Sequence, residues 1–323
     1  MFDTRNRVLG SVLSIQDETE NERALQEQKY IANHDALTGL FTKQHLFDRV
    51  REKIDANPDE TFFVAYMDIY NFKFINDVFG HEFGDYTLQS IANDFKKKLP
   101  PTSLFGRIGA DTFGACFSGG EFDINLAEKY GSEQKVEKDN ISRTVVIHEG
   151  VYEVTDRSID VSVMFDRAKL AMQTIKGDYT KHIVLYDDEM REKALRDQNI
   201  ALELPAALAN GDFRPYLQAI VDKDGKMIGA EALVRWIHPE RGFLSPAQFI
   251  PVVEQNGMIA EVDKYMWRCS VEIMKRWANM GRDDLFISVN VSPKDFYFMD
   301  VCQELNALVA KYEISPSRLR VCF

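Results

Sequence analysis

Two carboxylates in this sequence stand where a chain could hold a divalent cation. Phe62-Phe63-Val64-Ala65-Tyr66-Met67-Asp68 is a buried-strand pattern that ends in an acid. Asp111 lies in Arg107-Ile108-Gly109-Ala110-Asp111-Thr112-Phe113, at the tip of a hairpin between Ser103-Leu104-Phe105 and Phe113-Gly114-Ala115-Cys116-Phe117. Acids on two strand ends suit a hard cation that prefers oxygen ligands. After Asp68 come Asn71-Phe72-Lys73-Phe74-Ile75-Asn76-Asp77 and then Gly84-Asp85. Lys73 can neutralise phosphate charge, and Asn76 with Asp85 can meet a purine edge, the carboxylate suiting guanine's N1–H and N2–H₂. On residue type alone, Asp77 and Asp85 read better as helix N-caps and Asn76 as a turn residue. Further on, Glu231 in Glu231-Ala232-Leu233-Val234-Arg235-Trp236 and Asn290 near the end of a strand form the start of another metal site. Paired as neighbours on one strand, Glu231 and Arg235 can instead form a structural ion pair.

The elements that must position these groups follow from hydrophobic period and turn residues. A strand over 6–16 leads into a polar helix through about Ala32, suited to pairing with a partner helix. Then come a helix (Lys43 to Asp55), a strand (Thr61 to Asp68), a helix (Asp85 to Leu99) and the hairpin Leu104 to Phe117. A helix over Asn125 to Lys138, a second hairpin around Gly150, a helix from Met164 to Lys176 and a strand from His182 to Tyr186 complete this part. Hairpins among alternating strands and helices predict α+β architecture, a mixed, mostly antiparallel sheet faced by helices. A charged helix, Asp187 to Arg196, leads onward. Strands Phe213 to Val221 and Lys226 to Trp236 are joined by the turn Asp222-Lys223-Asp224-Gly225. Helices from Pro246 and over Glu261 to Met280, a strand Leu285 to Val291, a helix Val301 to Tyr312 and a strand from Leu319 predict part of a parallel (β/α) barrel.

The 323 residues suffice for two domains with substantial cores. A net charge of -12 argues against a nucleic-acid or anionic-membrane surface. Cys116, Cys269, Cys302 and Cys322 share no metal-ligand spacing and read as reduced thiols. With no apolar run of membrane-spanning length and no signal peptide, the expected location is the cytoplasm, without membrane contact.

In order and spacing, Asp35-Ala36-Leu37-Thr38-Gly39-Leu40, the Asp68 to Asp85 block and Arg107 to Phe113 resemble the GGDEF family of diguanylate cyclases, over 35–187. Such domains condense two GTP molecules across a homodimer into cyclic di-GMP. The resemblance makes Asp68 and Asp111 ligands of Mg²⁺ (or Mn²⁺), Asn76 and Asp85 guanine contacts, Phe72 and Lys73 part of a phosphate-side loop, and Lys176 a phosphate-binding lysine. The signature departs from Gly-Gly-Asp/Glu-Glu-Phe: it is Gly109-Ala110-Asp111-Thr112-Phe113. Ala110 puts a methyl where backbone must approach phosphate, a crowding worth about 1–3 kcal/mol. Thr112 removes a carboxylate from the reacting region, a loss of roughly 10²–10³ in rate. Thr180 and Lys181 stand near where the family carries an arginine, and Pro100-Pro101-Thr102-Ser103 replaces its inhibitory Arg-x-x-Asp. No catalytic set is complete.

Glu231 to Trp236, with Gln218 before it, Phe249-Ile250-Pro251, Glu254-Gln255-Asn256-Gly257 and Ser288-Val289-Asn290-Val291-Ser292-Pro293 after it, resembles the opening of the EAL family of cyclic di-GMP phosphodiesterases. The resemblance makes Glu231 and Asn290 metal ligands and Gln218 and Arg235 cyclic di-GMP contacts. The family's later glutamates, paired aspartates and lysine are expected beyond Phe323, so 188–323 reads as a truncated EAL domain. The segment 1–19, with Gly10 to Glu20, resembles the exit of a PAS sensor domain, and 20–34 reads as a linker helix. The leading expectation is a cyclic di-GMP signalling protein whose degenerate GGDEF domain binds GTP to regulate the EAL domain. The alternatives are a weakly active cyclase and a silent dimerisation module.

Overall fold

The computed structural model describes residues 19–132, 134–139, 141–178 and 180–322. The strand expected over 6–16 and the PAS-like tail lie outside the described residues. The chain divides between Arg191 and Glu192 into two compact units.

The first unit begins with α1 (Thr19–Asn33), β1 (Phe41–Thr42), α2 (Lys43–Ala56), β2 (Phe62–Ile69), α3 (Phe72–Phe79) and α4 (His81–Lys98). It continues with β3 (Leu104–Arg107), β4 (Thr112–Ser118), α5 (Ile124–Ser132), β5 (Gln134–Lys138), β6 (Ile141–Val145), β7 (Ile147–Glu153), α6 (Val161–Thr174) and β8 (Ile183–Leu185). Its main sheet has the order β1-β3-β4-β2-β7-β8. The inner pairs β3/β4, β4/β2 and β2/β7 are antiparallel, and the edge pairs β1/β3 and β7/β8 are parallel. This is the mixed, mostly antiparallel sheet that the pattern predicts.

Alternation along β2 explains the layers. Ala65, Met67 and Ile69 pack with Phe83, Leu88, Ile91 and Phe95 of α4 on one face. Phe62 and Val64 pack with Leu46, Val50 and Ile54 of α2 and with Met164, Phe165 and Ala168 of α6 on the other. The four-residue spacing in α2 puts its three apolar side chains on one stripe, which is the face it buries.

Three expectations need correction here. The helix over Asn125 to Lys138 ends at Ser132, and Gln134–Lys138 is a strand paired antiparallel with β6. Val136 is buried against the α4 face of the sheet, so tertiary burial overrides weak helical periodicity. Gly150 is not a hairpin tip but lies inside β7, opposite Tyr66. A Cβ there would sit 1.9 Å from the Ala168 carbonyl oxygen and 2.4 Å from the Met172 amide nitrogen. The glycine serves close approach of α6 to the sheet. The helix expected from Asp85 begins earlier, at His81, and α3 precedes it where no helix was expected.

The second unit contains the rest of α7 (Asp188–Asn210), which runs well past the charged stretch and through Pro205. There follow β9 (Phe213–Val221), β10 (Met227–His238), β11 (Gly242–Leu244), α8 (Pro246–Gln255), α9 (Ile259–Asn279), β12 (Phe286–Asn290), α10 (Asp295–Phe298), α11 (Val301–Lys311) and β13 (Leu319–Cys322). β9 and β11 flank β10 antiparallel, whereas β10, β12 and β13 are parallel neighbours. The parallel strands joined by helices match the expected barrel-type alternation. Trp267, Val271 and Met274 of α9 pack on Ile287 and Val289 of β12.

The close approach at Gly150 is directly testable. Gly150→Ala is expected to force α6 outward and lower the unfolding free energy by about 1–3 kcal/mol, read as a lower urea midpoint. An unchanged midpoint would show that α6 does not need the glycine.

Candidate functional site

The first site forms where three strands end together. Asp68 on β2 pairs in register with Thr112 on β4 and with His148 on β7. Asp68 is largely enclosed, with 14 % of its side chain exposed, and Lys176 Nζ lies 3.9 Å from its Oδ1. Burial raises the Asp68 pKa and Asp111 pushes the same way, against the pull of Lys176 and Lys169. The structure thus brings the predicted Asp68, Asp111 and Lys176 into one electrostatic neighbourhood. It adds Lys169 and His148, for which the sequence offers no signal beyond register. His148 is 1 % exposed. Burial lowers its pKa, and His182 and Lys176 add to this while Asp178 opposes it.

The degenerate hairpin is held by residues other than its signature. Ile108 N–H and Gly109 N–H both donate to the Thr112 carbonyl, at 3.0 and 3.3 Å, and Ile69 N–H donates to the Asp111 carbonyl at 3.3 Å. Arg107 spans the tip: one guanidinium nitrogen donates to the Ala110 carbonyl at 2.6 Å and another to Asp35 at 3.3 Å. Asp35 also accepts from the Thr38 amide and hydroxyl at 2.9 and 2.7 Å. Burial alone would raise its pKa, but the Thr38 bonds and the Arg107 charge hold it below the usual carboxylate range. The role of the Asp35–Arg107 pair is absent from the sequence reading. Thr112 is 8 % exposed.

The guanine-side residues come from two helices. Asn71 adopts a left-handed conformation (φ 53°) that turns the chain from β2 into α3. Asn76 lies inside α3, and its side-chain oxygen rests where a Cβ on Gly84 would be, 1.9 Å away. Gly84 therefore lets α3 seat its amide on α4, one residue before the exposed Asp85. Asp77 and Asp85 lie inside α3 and α4 and cap neither, because the N-cap positions are Asn71 and Gly80. The cap reading is overturned. Phe72 corrects the phosphate-side loop: it opens α3 and is buried in the core, while Lys73 beside it is exposed. What faces outward at this point is the first turn of a helix, whose amide groups lack helical partners.

In the second unit, Asn290 Nδ2 donates to Glu231 Oε1 at 3.2 Å. Gln218 pairs in register with Glu231 across β9 and β10. Arg235 lies two pleats further along the same face, its Nη1 on the Val234 carbonyl and its guanidinium 5.8 Å from the Tyr216 ring centre. No Glu231–Arg235 ion pair exists among the described residues, so the structural-pair alternative fails: Glu231 is engaged by Asn290. Trp267 Nε1 donates to the Asn290 carbonyl at 3.0 Å and fixes that strand end, a contact the sequence did not indicate.

Among the described residues no three His, Cys, Asp or Glu side chains gather as a metal cage. The donors are nonetheless of the right kind. Two carboxylates at the first site, and a carboxylate with an amide oxygen at the second, suit a cation completed by water and substrate oxygens. No described helix is long and apolar enough to cross a membrane.

Comparison with known proteins matches residues 32–182 to "Diguanylate cyclase, GGDEF domain" and residues 201–323 to "EAL domain". The chain is 26% identical, over 99% of its length and 47% of the relative's, to the bifunctional diguanylate cyclase/cyclic di-GMP phosphodiesterase MucR of Pseudomonas aeruginosa. It is 29% identical, over 96% of its length and 39% of the relative's, to an uncharacterized signaling protein of Caulobacter vibrioides. The chain thus spans less than half the length of these curated relatives. Among solved structures, the S helix-GGDEF-EAL region of Vibrio cholerae LapD bound to c-di-GMP is similar at TM-score 0.48 and 14% identity, covering 94% of this chain and 72% of that one. The coiled coil and GGDEF domain of DgcB from Caulobacter crescentus is similar at TM-score 0.44 and 21% identity, covering 52% of this chain and 93% of that one. The chain carries a GGDEF domain followed by an EAL domain, two domain types that act with divalent metal ions.

The Asp35 pair gives a pH-dependent prediction. A carboxylate with a folded-state pKa below its unfolded value stabilises above the unfolded value, and this is lost as pH falls through the folded one. Asp35→Asn is therefore expected to cost about 1–2 kcal/mol near pH 7. The gap between the two proteins should narrow below about pH 4. Urea titrations at several pH values measure it; a gap constant through the acid range would show that the carboxylate charge is not the cause.

Proposed function

We propose that the GGDEF domain, 35–187, binds GTP as a regulatory module with weakened cyclase chemistry, and that its output is a cyclic di-GMP phosphodiesterase site in the EAL domain, 188–323. The observation that carries this reading is the asymmetry at the first site. Both residues expected on the guanine side are present, with the Asn76 amide seated against Gly84, the residue before Asp85. The reacting side has Thr112 directly opposite Asp68, a hydroxyl where the family signature carries a carboxylate.

In this reading Asp85 accepts from guanine N1–H and N2–H₂, and the Asn76 amide meets the same ring. Lys73, Lys176 and the first-turn amides of α3 receive the phosphates, for which a helix N-terminus is well suited. Mg²⁺ or Mn²⁺, held by Asp68 and Asp111, would supply charge neutralisation of the phosphates. Two such domains in a homodimer would set two nucleotides face to face. In the EAL domain, Glu231 and Asn290 supply oxygens to a divalent cation, and Gln218 and Arg235 hold cyclic di-GMP. GTP can regulate that site only by binding one arrangement of the protein better than another, and the coupling must be reciprocal. The buried Cys116 thiol, pushed up to about 12 by burial, and the other free cysteines accord with a reducing cytoplasm.

Calorimetry of the chain with GTP and Mg²⁺ tests the module. Asp85→Ala is expected to weaken GTP by about tenfold or more, since it removes hydrogen bonds to a charged acceptor. Absent GTP binding, or binding indifferent to Asp85→Ala, would sink the proposal.

The weakly active cyclase remains the second reading, favoured by the survival of Asp68, Asp111 and Lys176 as a group. Thr112→Glu puts a carboxylate opposite Asp68 and is expected to raise cyclic di-GMP formation by about 10²–10³. If the substituted protein makes no more product than the parent, Thr112 is not what limits the chemistry.

A further inference from the structure

On the α4 face of the first unit's sheet, away from Asp68, lies a largely apolar cavity of about 320 Å³. Met67, Phe95, Leu99, Phe117, Phe122 and Leu126 form most of its wall. The volume falls at the small end of ligand pockets, which run to roughly 300–1,000 Å³. One wall group is out of place in a packing defect. Glu149 of β7 is 7 % exposed and lines the cavity. Its backbone N–H is used, donating to the His182 carbonyl at 2.7 Å. Its carboxyl has no hydrogen-bond or ion-pair partner among the described residues, and the residue forms part of the cavity wall. Burial with no compensating partner pushes Glu149 up to about 8.

The other charged groups around the cavity are already engaged or are also acids. Lys98 pairs with Asp94 at 2.7 Å. Asp123 accepts from the Asn125 amide at 2.8 Å, at the start of α5. Glu121 accepts from Thr102 through one oxygen, and its other oxygen is buried in the wall without a partner. The cavity's one lining lysine among the described residues, Lys98, is tied to Asp94, while Glu149 and one Glu121 oxygen have no partner there, so a ligand must supply the donor and the positive charge. A buried acid is stabilised most by a hydrogen-bonded cation.

We propose that this cavity is a binding site for a small apolar amine of the arylalkylamine class, its ring among the phenylalanines and its nitrogen donating to Glu149. A carboxylate ligand would meet the acids Glu121 and Asp123 in the lining, with Lys98 already held by Asp94. A purely apolar ligand would leave Glu149 unsatisfied, so the amine is the occupant that completes the site. Met67, in the cavity wall, is the neighbour of Asp68 on β2, so an occupied cavity adjoins the strand that carries the metal-site acid. The proposal does not depend on what the nucleotide site binds.

Calorimetric titration of the whole chain with phenethylamine is the test, with ethylbenzene and hydrocinnamate as matched ligands lacking the donor or reversing the charge. Phenethylamine is expected to bind with a Kd of about 1 mM or tighter. Glu149→Gln should weaken it by about tenfold or more, and hydrocinnamate should not bind. Ala127→Phe, which fills the cavity from α5, should abolish binding while circular dichroism remains unchanged. No uptake of phenethylamine, equal binding of ethylbenzene, or binding that survives Ala127→Phe would overturn the proposal. The ligand series on the unsubstituted protein decides the matter even if Glu149→Gln does not fold.

Discussion

Asp68 is a carboxylate that the fold withdraws from water at the end of a buried strand, and much of the first unit is arranged around that cost. Moving an ion out of water is unfavourable unless opposite charge or hydrogen bonds replace the lost solvent. The replacement comes from the α6 face of the sheet, where Lys169 and Lys176 approach Asp68 from α6 and the turn after it. They can do so because α6 lies almost against the backbone of β7, which is why residue 150 has no side chain. The lysines only partly offset burial, since Asp111 works against them and the Asp68 pKa stays raised. A cation bound between the acids would remove that remaining penalty, so the site is organised for a charge it does not itself provide.

How far this was legible in the sequence depended on the range over which the deciding contacts act. β4 and β12 were readable because their apolar runs are bounded by turn residues and their burial is nearly continuous, and β2 because its buried positions recur along an apolar run. The predicted site acids were readable because strand ends and spacing limit where they can go. α3 was not, because its eight residues carry Asn76 and Asp77, types that favour caps and turns, and its stability comes from packing Phe72 and Asn76 against α4. Gly150 was misread for a related reason: a glycine's letter does not say whether it serves a turn or a close approach. Asp35 with Arg107, Trp267 with Asn290 and His148 beside Asp68 are all long-range contacts, and one sequence gives no sign of them.

The second unit handles its site acid differently. Glu231 is hydrogen-bonded by a neutral amide, Asn290, delivered by the adjacent parallel strand β12. Parallel neighbours end at the same edge, so side chains from successive strands meet there without a hairpin. Trp267, reaching from α9 to the Asn290 carbonyl, fixes the strand end through a helix already required by the core. Precision at this edge is therefore a by-product of packing, whereas at Asp68 it depends on charges carried by a helix and a turn.

The contrast bears on what Thr112 changes. The hairpin tip is held by backbone bonds from Ile108, Gly109 and Ile69 and by Arg107, none of which involves the side chain at 112. Thr112 fills its place with a small, largely buried side chain opposite Asp68. A carboxylate there would add a third negative charge to a neighbourhood where Asp68 and Asp111 already repel, and burial would sharpen the repulsion. Thr112 is thus compatible with the fold and relieves it electrostatically, while the α3–α4 seat of Asn76 and Asp85 is built from different side-chain contacts. The two places share the apolar core built by Met67, Ile69, Phe72, Phe83 and Phe113, but the side-chain contacts that hold Asn76 are not those around Thr112. A domain of this construction can shed one and retain the other.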